Sequence, residues 1–236
     1  MLGGVLDFFF PRRCILCGNS LVGAEKKLCC TCLWDMPFIT GEEPLSAAQR
    51  VFWGRCRIEA VWPLFYYVNP YKEIVHRIKY GSDIALALQM GRMLGARIAS
   101  DVLLGKAPPI DYIVPVPLHW RRRLKRGYNQ TAEISKGIRI GYSEVLPGGA
   151  SLFTHLLYRR SATATQTRKN RHQRWLNVKD AFGVRSGAGV HRKIDGRHLL
   201  LVDDVLTTGA TLDACANSIL EHFCCRVSIA TLGFVP

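Results

Sequence analysis

The chain has 236 residues, 48% of them apolar and 10% aromatic, which suits one substantial domain with a small accessory module and excludes a disordered tail. Its formal net charge is +14, and residues 112–185, with fifteen basic against three acidic side chains, carry +12 of it. A charge block confined to one stretch points to a polyanionic partner, either a phosphorylated small molecule or nucleic acid.

No stretch approaches the roughly twenty apolar residues of a membrane span. The apolar start, Met1 to Phe10, is interrupted by Asp7 and has no basic residue before it. It reads as folded protein, and the expected location is the cytoplasm.

Nine cysteines are too many and too clustered for a secreted disulfide framework. Cys14-Ile-Leu-Cys17 and Cys29-Cys30-Thr31-Cys32 form two C-x-x-C pairs, leaving Cys30 as a spectator or a competing ligand. Four thiolates from Cys14, Cys17, Cys29 and Cys32 would close a tetrahedral zinc site with no open position for water, so the metal would be structural. An iron–sulfur cluster could use the same ligands. Residues 1–58 are too few to bury a self-sufficient core, and metal binding would supply the missing folding energy. The expected division is a zinc-binding module over 1–58 and a second domain over 59–236.

From Ala60 to Val68 the residues are aromatic and β-branched, predicting a strand. Asn69-Pro70 predicts a helix start with Pro70 in the first turn, Tyr71 to Tyr80 as the helix and Gly81 as its end. Ser82 or Asp83 caps a longer helix, Ile84 to Leu104. Tyr112 to Val116 reads as a short buried strand and Asn129 to Ile140 as a helix. The basic stretch from Arg159 begins as a loop, and Gly187 to Gly196 is expected to be another. His198 to Val202 is a continuous apolar strand, followed by a helix carrying Leu212, Cys215, Ala216, Ile219 and Leu220 on one face, and by a last strand from Arg226 to Leu232. This alternation predicts an α/β fold with a mainly parallel sheet.

The densest motif is Leu201-Val-Asp-Asp-Val-Leu-Thr-Thr-Gly-Ala-Thr211. A buried strand ending in Asp203 and Asp204 runs into a hydroxyl- and glycine-rich turn that opens a helix. Such a turn can aim backbone amides at a phosphate, helped by the helix dipole and by the hydroxyls of Thr207, Thr208 and Thr211, while Gly209 lets the backbone approach closely. Two carboxylates beside a phosphate are useful if they grip sugar hydroxyls or an intervening Mg²⁺.

At these residues the chain resembles the type I phosphoribosyltransferases. Pro115-Val-Pro-Leu-His119, Arg126-Gly-Tyr-Asn-Gln130, and Arg160, Thr163, Gln166, Arg171, Asn177 and Ala181-Phe182 narrow the resemblance to the ComF family. That family joins a four-cysteine zinc module to a phosphoribosyltransferase-like domain and is associated with DNA uptake and natural competence. The resemblance implies that Asp203 and Asp204 hold the ribose hydroxyls of phosphoribosyl pyrophosphate and that Thr207, Thr208, Gly209, Ala210 and Thr211 hold its 5′-phosphate. It also implies that Arg126 and Gly127 face the pyrophosphate with Mg²⁺, and that a loop bearing Arg160, Gln166 and Arg171 closes over the site. Thr207 stands where transferases acting on 6-oxopurines carry an acid, so purine salvage is not expected and the acceptor stays open. His76, His119 and His198 are general-base candidates by residue type only.

Two classes of function follow: a phosphoribosyltransferase of unknown acceptor, or a non-catalytic single-stranded DNA-handling protein that keeps the sugar-phosphate site. The basic block interleaves arginines, among them Arg121, Arg122 and Arg123, with aromatic side chains, a composition suited to single-stranded DNA. DNA-uptake or helicase proteins are the expected protein partners.

Overall fold

The computed structural model describes residues 12–118, 124, 126–160 and 181–236. In chain order its elements are α1 (Cys30–Trp34), α2 (Glu42–Arg50), β1 (Val61–Tyr66), α3 (Lys72–Tyr80), α4 (Ile84–Leu103), β2 (Tyr112–Pro115) and α5 (Gln130–Val145). Then follow β3 (Ser151–Leu152), β4 (Leu157–Arg159), β5 (Phe182–Val184), α6 (Ala188–Ile194), β6 (His198–Leu206), α7 (Ala210–Leu220) and β7 (Arg226–Phe234).

Five strands form one sheet in the order β1-β7-β6-β2-β3, with every adjacent pair parallel. β6 is central and is covered on both faces, which explains its unbroken apolar run. Leu200 and Val202 join the core beneath α3, α4 and α5, while Leu199, Leu201 and Leu206 join the core beneath α7. The N-terminal segment shares these cores: Cys14, Leu21, Leu28 and Met36 cluster with Trp62, Leu64 and Ile74. It also covers the outer edge of β1, where Ile39 donates its amide to Leu64 at 3.0 Å and Pro37 accepts from Tyr66 at 3.0 Å.

Several expectations need correction. Gly187 to Gly196 is not a loop: α6 forms there because Val190 and Ile194, one turn apart, reach the apolar layer, and His191 pairs with Asp195 at 3.2 Å across the same turn. Pro70 stands in the turn before α3 rather than in its first turn; Lys72 begins the helix. β6 runs past Val202 to Leu206, so both aspartates lie within the strand. β4 and β5, which pair antiparallel at either end of the basic stretch, carried too few residues to show a period. The caps at Asp83 and Gly81 are as expected, with the Asp83 carboxylate accepting from the Leu86 amide at 3.1 Å.

α4 and α5 meet along a seam of glycines. A Cβ on Gly95 would lie 2.1 Å from the Ile138 carbonyl oxygen, and one on Gly141 would lie 1.9 Å from that of Arg92. The obstacle is backbone, so it cannot rotate aside, and the helices must separate to admit a methyl group. Among the described residues, no helix is long and apolar enough to cross a membrane. We expect Gly95→Ala and Gly141→Ala each to cost about 1–3 kcal/mol in urea unfolding, the scale of overpacking. A silent substitution would mean that the seam is looser than described.

Candidate functional site

The first site is the four-cysteine centre. The ligand atoms of Cys14, Cys17, Cys29 and Cys32 all lie within 4.8 Å of one another. A Zn–S bond of about 2.3 Å puts tetrahedral sulfurs ~3.8 Å apart, and Cys17 and Cys29 present theirs at 3.7 Å. Sequence spacing brings this about: Cys14 and Cys17 flank a tight turn closed by Gly18 at φ 77°, while Cys29 caps α1 and Cys32 lies inside it. The amides of Cys29 and Cys32 donate to the sulfurs of Cys14 and Cys29, each at 3.4 Å. Burial opposes ionisation of Cys14, but the amides of Cys17, Cys29 and Leu16 bring its thiol down to about 6. Burial, then the neighbouring sulfurs, push Cys32 up. Only a shared cation lets all four ionise together. Cys30 points away, exposed.

The second site lies where the sheet changes direction. After β2 the chain moves outward to β3, and after β6 it moves the other way to β7, which leaves a crevice at the carboxyl ends of β2 and β6. A cavity of about 590 Å³ opens there, walled by Lys79, Val116, Pro117, Arg126, Gln130, Arg159, Asp203, Asp204, Thr207 and Thr211, among others. The strand's two-residue period sends the adjacent aspartates to opposite layers. Asp204 turns toward α3 and α5, where Lys79 Nζ meets Oδ1 at 2.7 Å and Gln130 Nε2 donates to Oδ2 at 3.0 Å. Asp203 faces the side of α7 and β4, close enough to Arg159 to feel its charge and to Cys215 to push that buried thiol up. Burial, and next the negative charge of Asp204, push the Asp203 carboxyl up to about 7.

The turn after β6 opens α7 with Gly209 at φ 70°, a left-handed conformation that favours glycine. Thr207 and Thr211 line the cavity; Thr208, Gly209 and Ala210 shape the turn without lining it. Arg126 lines the mouth, with its guanidinium 5.0 Å over the Tyr80 ring, and Gly127 beside it has φ 76°. Arg160 follows β4, donates its amide to Ala181 at 2.8 Å, and is not among the lining residues. Gln166, Arg171, Arg121, Arg122, Arg123 and His119 lie outside the described residues. His198 is no general base here: it sits at the far end of β6, buried, with its ring nitrogens 3.0 Å from the Pro109 carbonyl oxygen and 2.8 Å from the Ser228 hydroxyl. Burial pushes its pKa down. His76 is exposed and stacks on Tyr80.

Sequence reasoning missed Lys79 and Arg159 and named Gln130 only within a motif. Lys79 had one signal, a basic residue in the last helical turn before Gly81. Arg159 had none beyond its charge.

A double zinc ribbon domain model matches residues 5–45, and a phosphoribosyl transferase domain model matches residues 145–235. Competence protein F of Haemophilus influenzae is 28% identical over 215 residues, which span 87% of this chain and 89% of that protein. Competence protein ComFC of Streptococcus pneumoniae is 25% identical, with 85% and 90% covered. The DNA utilization protein YhgH of Escherichia coli K12 is 28% identical over 69% of this chain and 66% of its own length. The chain is a homologue of these proteins, with a double zinc ribbon and a phosphoribosyl transferase domain. A solved structure, the allosteric regulatory enzyme of purine biosynthesis, aligns over 66% of this chain and 30% of its own at 17% identity and a TM-score of 0.38. So loose an overlap leaves the fold to the chain's own strand order.

Two outcomes are expected. Purified protein should contain about one zinc ion per chain, and Cys14→Ser, or exposure to a strong chelator, should lower the melting temperature, because the ribbon cannot hold its fold on apolar burial alone. Elemental analysis and thermal melts check this. The Asp203 carboxyl, raised from 3.8 to about 7, binds its proton more tightly folded than unfolded. Its contribution to stability is therefore full below pH ~4 and lost as pH rises through ~7. Asp203→Asn should melt several degrees above the parent at pH 8, and the gap should close toward pH 4; equal melting at pH 8 would contradict the desolvated setting of this group.

Proposed function

We propose that the chain binds phosphoribosyl pyrophosphate with Mg²⁺ in the cavity between β2 and β6, as a phosphoribosyltransferase of open acceptor that serves DNA uptake. The observation that supports it is the convergence in one cavity of two strand-end carboxylates, a threonine-rich turn at a helix N-terminus, and the cations Lys79, Arg126 and Arg159. A sugar carrying a phosphate on one side and a pyrophosphate on the other asks for this distribution of charge.

In this reading the amides of the Thr207–Thr211 turn and its hydroxyls take the 5′-phosphate. Asp203 and Asp204 serve the ribose hydroxyls, and Arg126 and Arg159 face the pyrophosphate, the leaving group when the C1–O bond breaks through an oxocarbenium-like state. The donor set fits Mg²⁺ carried in with the pyrophosphate: Asp203, pushed up to about 7 beside a second carboxylate, is a site that a divalent cation would relieve. Mg²⁺ there would neutralise the departing charge. We further propose residues 1–58 as the zinc module and 59–236 as the transferase-like domain. The relatives named for competence and DNA utilization, together with the basic block at 112–185, also favour binding of single-stranded DNA.

The test is calorimetric titration of the parent and of the Asp203→Asn, Asp204→Asn double variant with phosphoribosyl pyrophosphate and Mg²⁺. The variant should lose about 2–4 kcal/mol of binding, the scale for charge-assisted hydrogen bonds. Its single-stranded DNA affinity, read by anisotropy, should hold or rise, because two negative charges have gone. Replacing Arg121, Arg122 and Arg123 by Ala should instead weaken DNA binding and flatten its salt dependence. A double variant that bound the sugar pyrophosphate as tightly as the parent would remove the reading.

A further inference from the structure

The carboxylate assigned by motif to a ribose hydroxyl is already engaged. Asp204 takes Lys79 on one oxygen at 2.7 Å and the Gln130 amide nitrogen on the other at 3.0 Å. That second bond fixes the orientation of the Gln130 amide, since only its NH₂ end can donate to a carboxylate. The other end, Gln130 Oε1, is then committed. It is buried, has no hydrogen-bond partner among the described residues, and belongs to a side chain only 4% exposed that lines the cavity. A buried carbonyl oxygen without a donor costs free energy of the order of a lost hydrogen bond, and one in a cavity wall calls for a partner.

We infer that Gln130 is the sugar-reading residue on this wall: Oε1 accepts from a ribosyl hydroxyl of the ligand, while Asp204 positions Gln130 and Lys79 rather than holding the hydroxyl alone. This rests on the phosphoribosyl reading and names the group within the ligand that this wall recognises. Phosphate and pyrophosphate oxygens at neutral pH have almost nothing to donate and cannot satisfy Oε1. A hydroxyl can donate to it and accept at the same time from the neighbouring Lys79 ammonium, which spends one of its three N–H bonds on Asp204. The wall therefore suits a group that both donates and accepts, as a hydroxyl does, and it discriminates against the deoxy sugar. The discrimination has the size of one hydrogen bond, which the hydroxyl supplies to Oε1 and the deoxy sugar does not.

The fold builds this wall with care. Gln130 is the first residue of α5, and Asn129 and Thr131 on either side of it anchor to the Val116 carbonyl at 3.4 and 2.7 Å. Tyr128 donates to the Ile78 carbonyl, tying the same segment to the helix that carries Lys79.

The experiment titrates ribose 5-phosphate, its 2-deoxy and 3-deoxy analogues, phosphoribosyl pyrophosphate with Mg²⁺, and magnesium pyrophosphate into the parent and Gln130→Met, which keeps the volume and removes the acceptor. The parent should prefer ribose 5-phosphate to one of the deoxy sugars by about tenfold. In Gln130→Met that preference should vanish, while magnesium pyrophosphate, which lacks hydroxyls, binds both proteins alike. Should the variant fold poorly, the same question is put to the parent labelled with ¹³C at the glutamine side-chain carbonyl: the Gln130 resonance should move with ribose 5-phosphate and stay put with the discriminating deoxy sugar. A parent that binds phosphoribosyl pyrophosphate but does not distinguish the sugars, or a variant that still does, overturns the role of Gln130 and leaves the phosphoribosyl reading standing. A parent that binds none of the sugar phosphates removes both.

Discussion

Two adjacent carboxylates at the end of a strand buried on both faces are the constraint around which this molecule is arranged. Because neighbouring strand residues point to opposite faces, Asp203 and Asp204 meet different layers of the fold, and the Lys79 charge reaches both. On one side α3 brings Lys79 and α5 brings Gln130; on the other, β4 brings Arg159 into electrostatic reach. The compensation is uneven. Asp204 has two close partners, whereas Asp203 holds its carboxyl near neutrality at about 7. The cavity therefore has one wall whose carboxylate is paired and one whose carboxyl is held up by burial and by its neighbour's charge.

Precision on the Asp204 wall depends on the glycine seam between α4 and α5. Gly91 meets Gly137, Gly95 meets the Ile138 backbone and Gly141 the backbone of Arg92 and Ala96, so the two helices approach as closely as main chains permit and have little freedom to slide. The N-terminus of α5, where Gln130 sits, inherits that fixed position.

The N-terminal region braces the other wall. Arg55 donates to the Thr208 carbonyl at 2.8 Å, and Val51 and Phe52 pack where a side chain on Gly209 would have to go. Cys56 lies against Asp213 of α7; burial, then that carboxylate, push its thiol up to about 12. The segment that follows the zinc ribbon therefore supports the turn between β6 and α7 directly, and Cys14 and Leu28 share a core with β1 and α3. Ribbon and cavity belong to one continuous packing arrangement.

What could be read from the sequence was what is locally encoded. The C-x-x-C pairs define a four-sulfur centre, because three residues of turn or helix bring two sulfurs together wherever the chain goes. The run from Leu201 to Thr211 defines a strand, an acidic pair and a helix-opening turn, because each depends on its neighbours' backbone preferences. Strand–helix alternation likewise implied a parallel sheet. Short elements escaped: α6 looked like a loop between glycines, and β4 and β5 have three residues each, too few for a period. The partners of the acidic pair could be decided only by tertiary structure. Gln130 lies 74 positions from Asp204, and Arg55 lies 153 from Thr208. Nothing in local pattern links residues so far apart; the packing of the helices and of the N-terminal region on the sheet brings them together. Sequence by itself determined the four cysteines, the acidic pair and the threonine-rich turn, because each is locally encoded; three-dimensional packing decided that Lys79, Gln130 and Arg159 join the acidic pair in one cavity and that Asp204 is already paired, because those contacts are long-range.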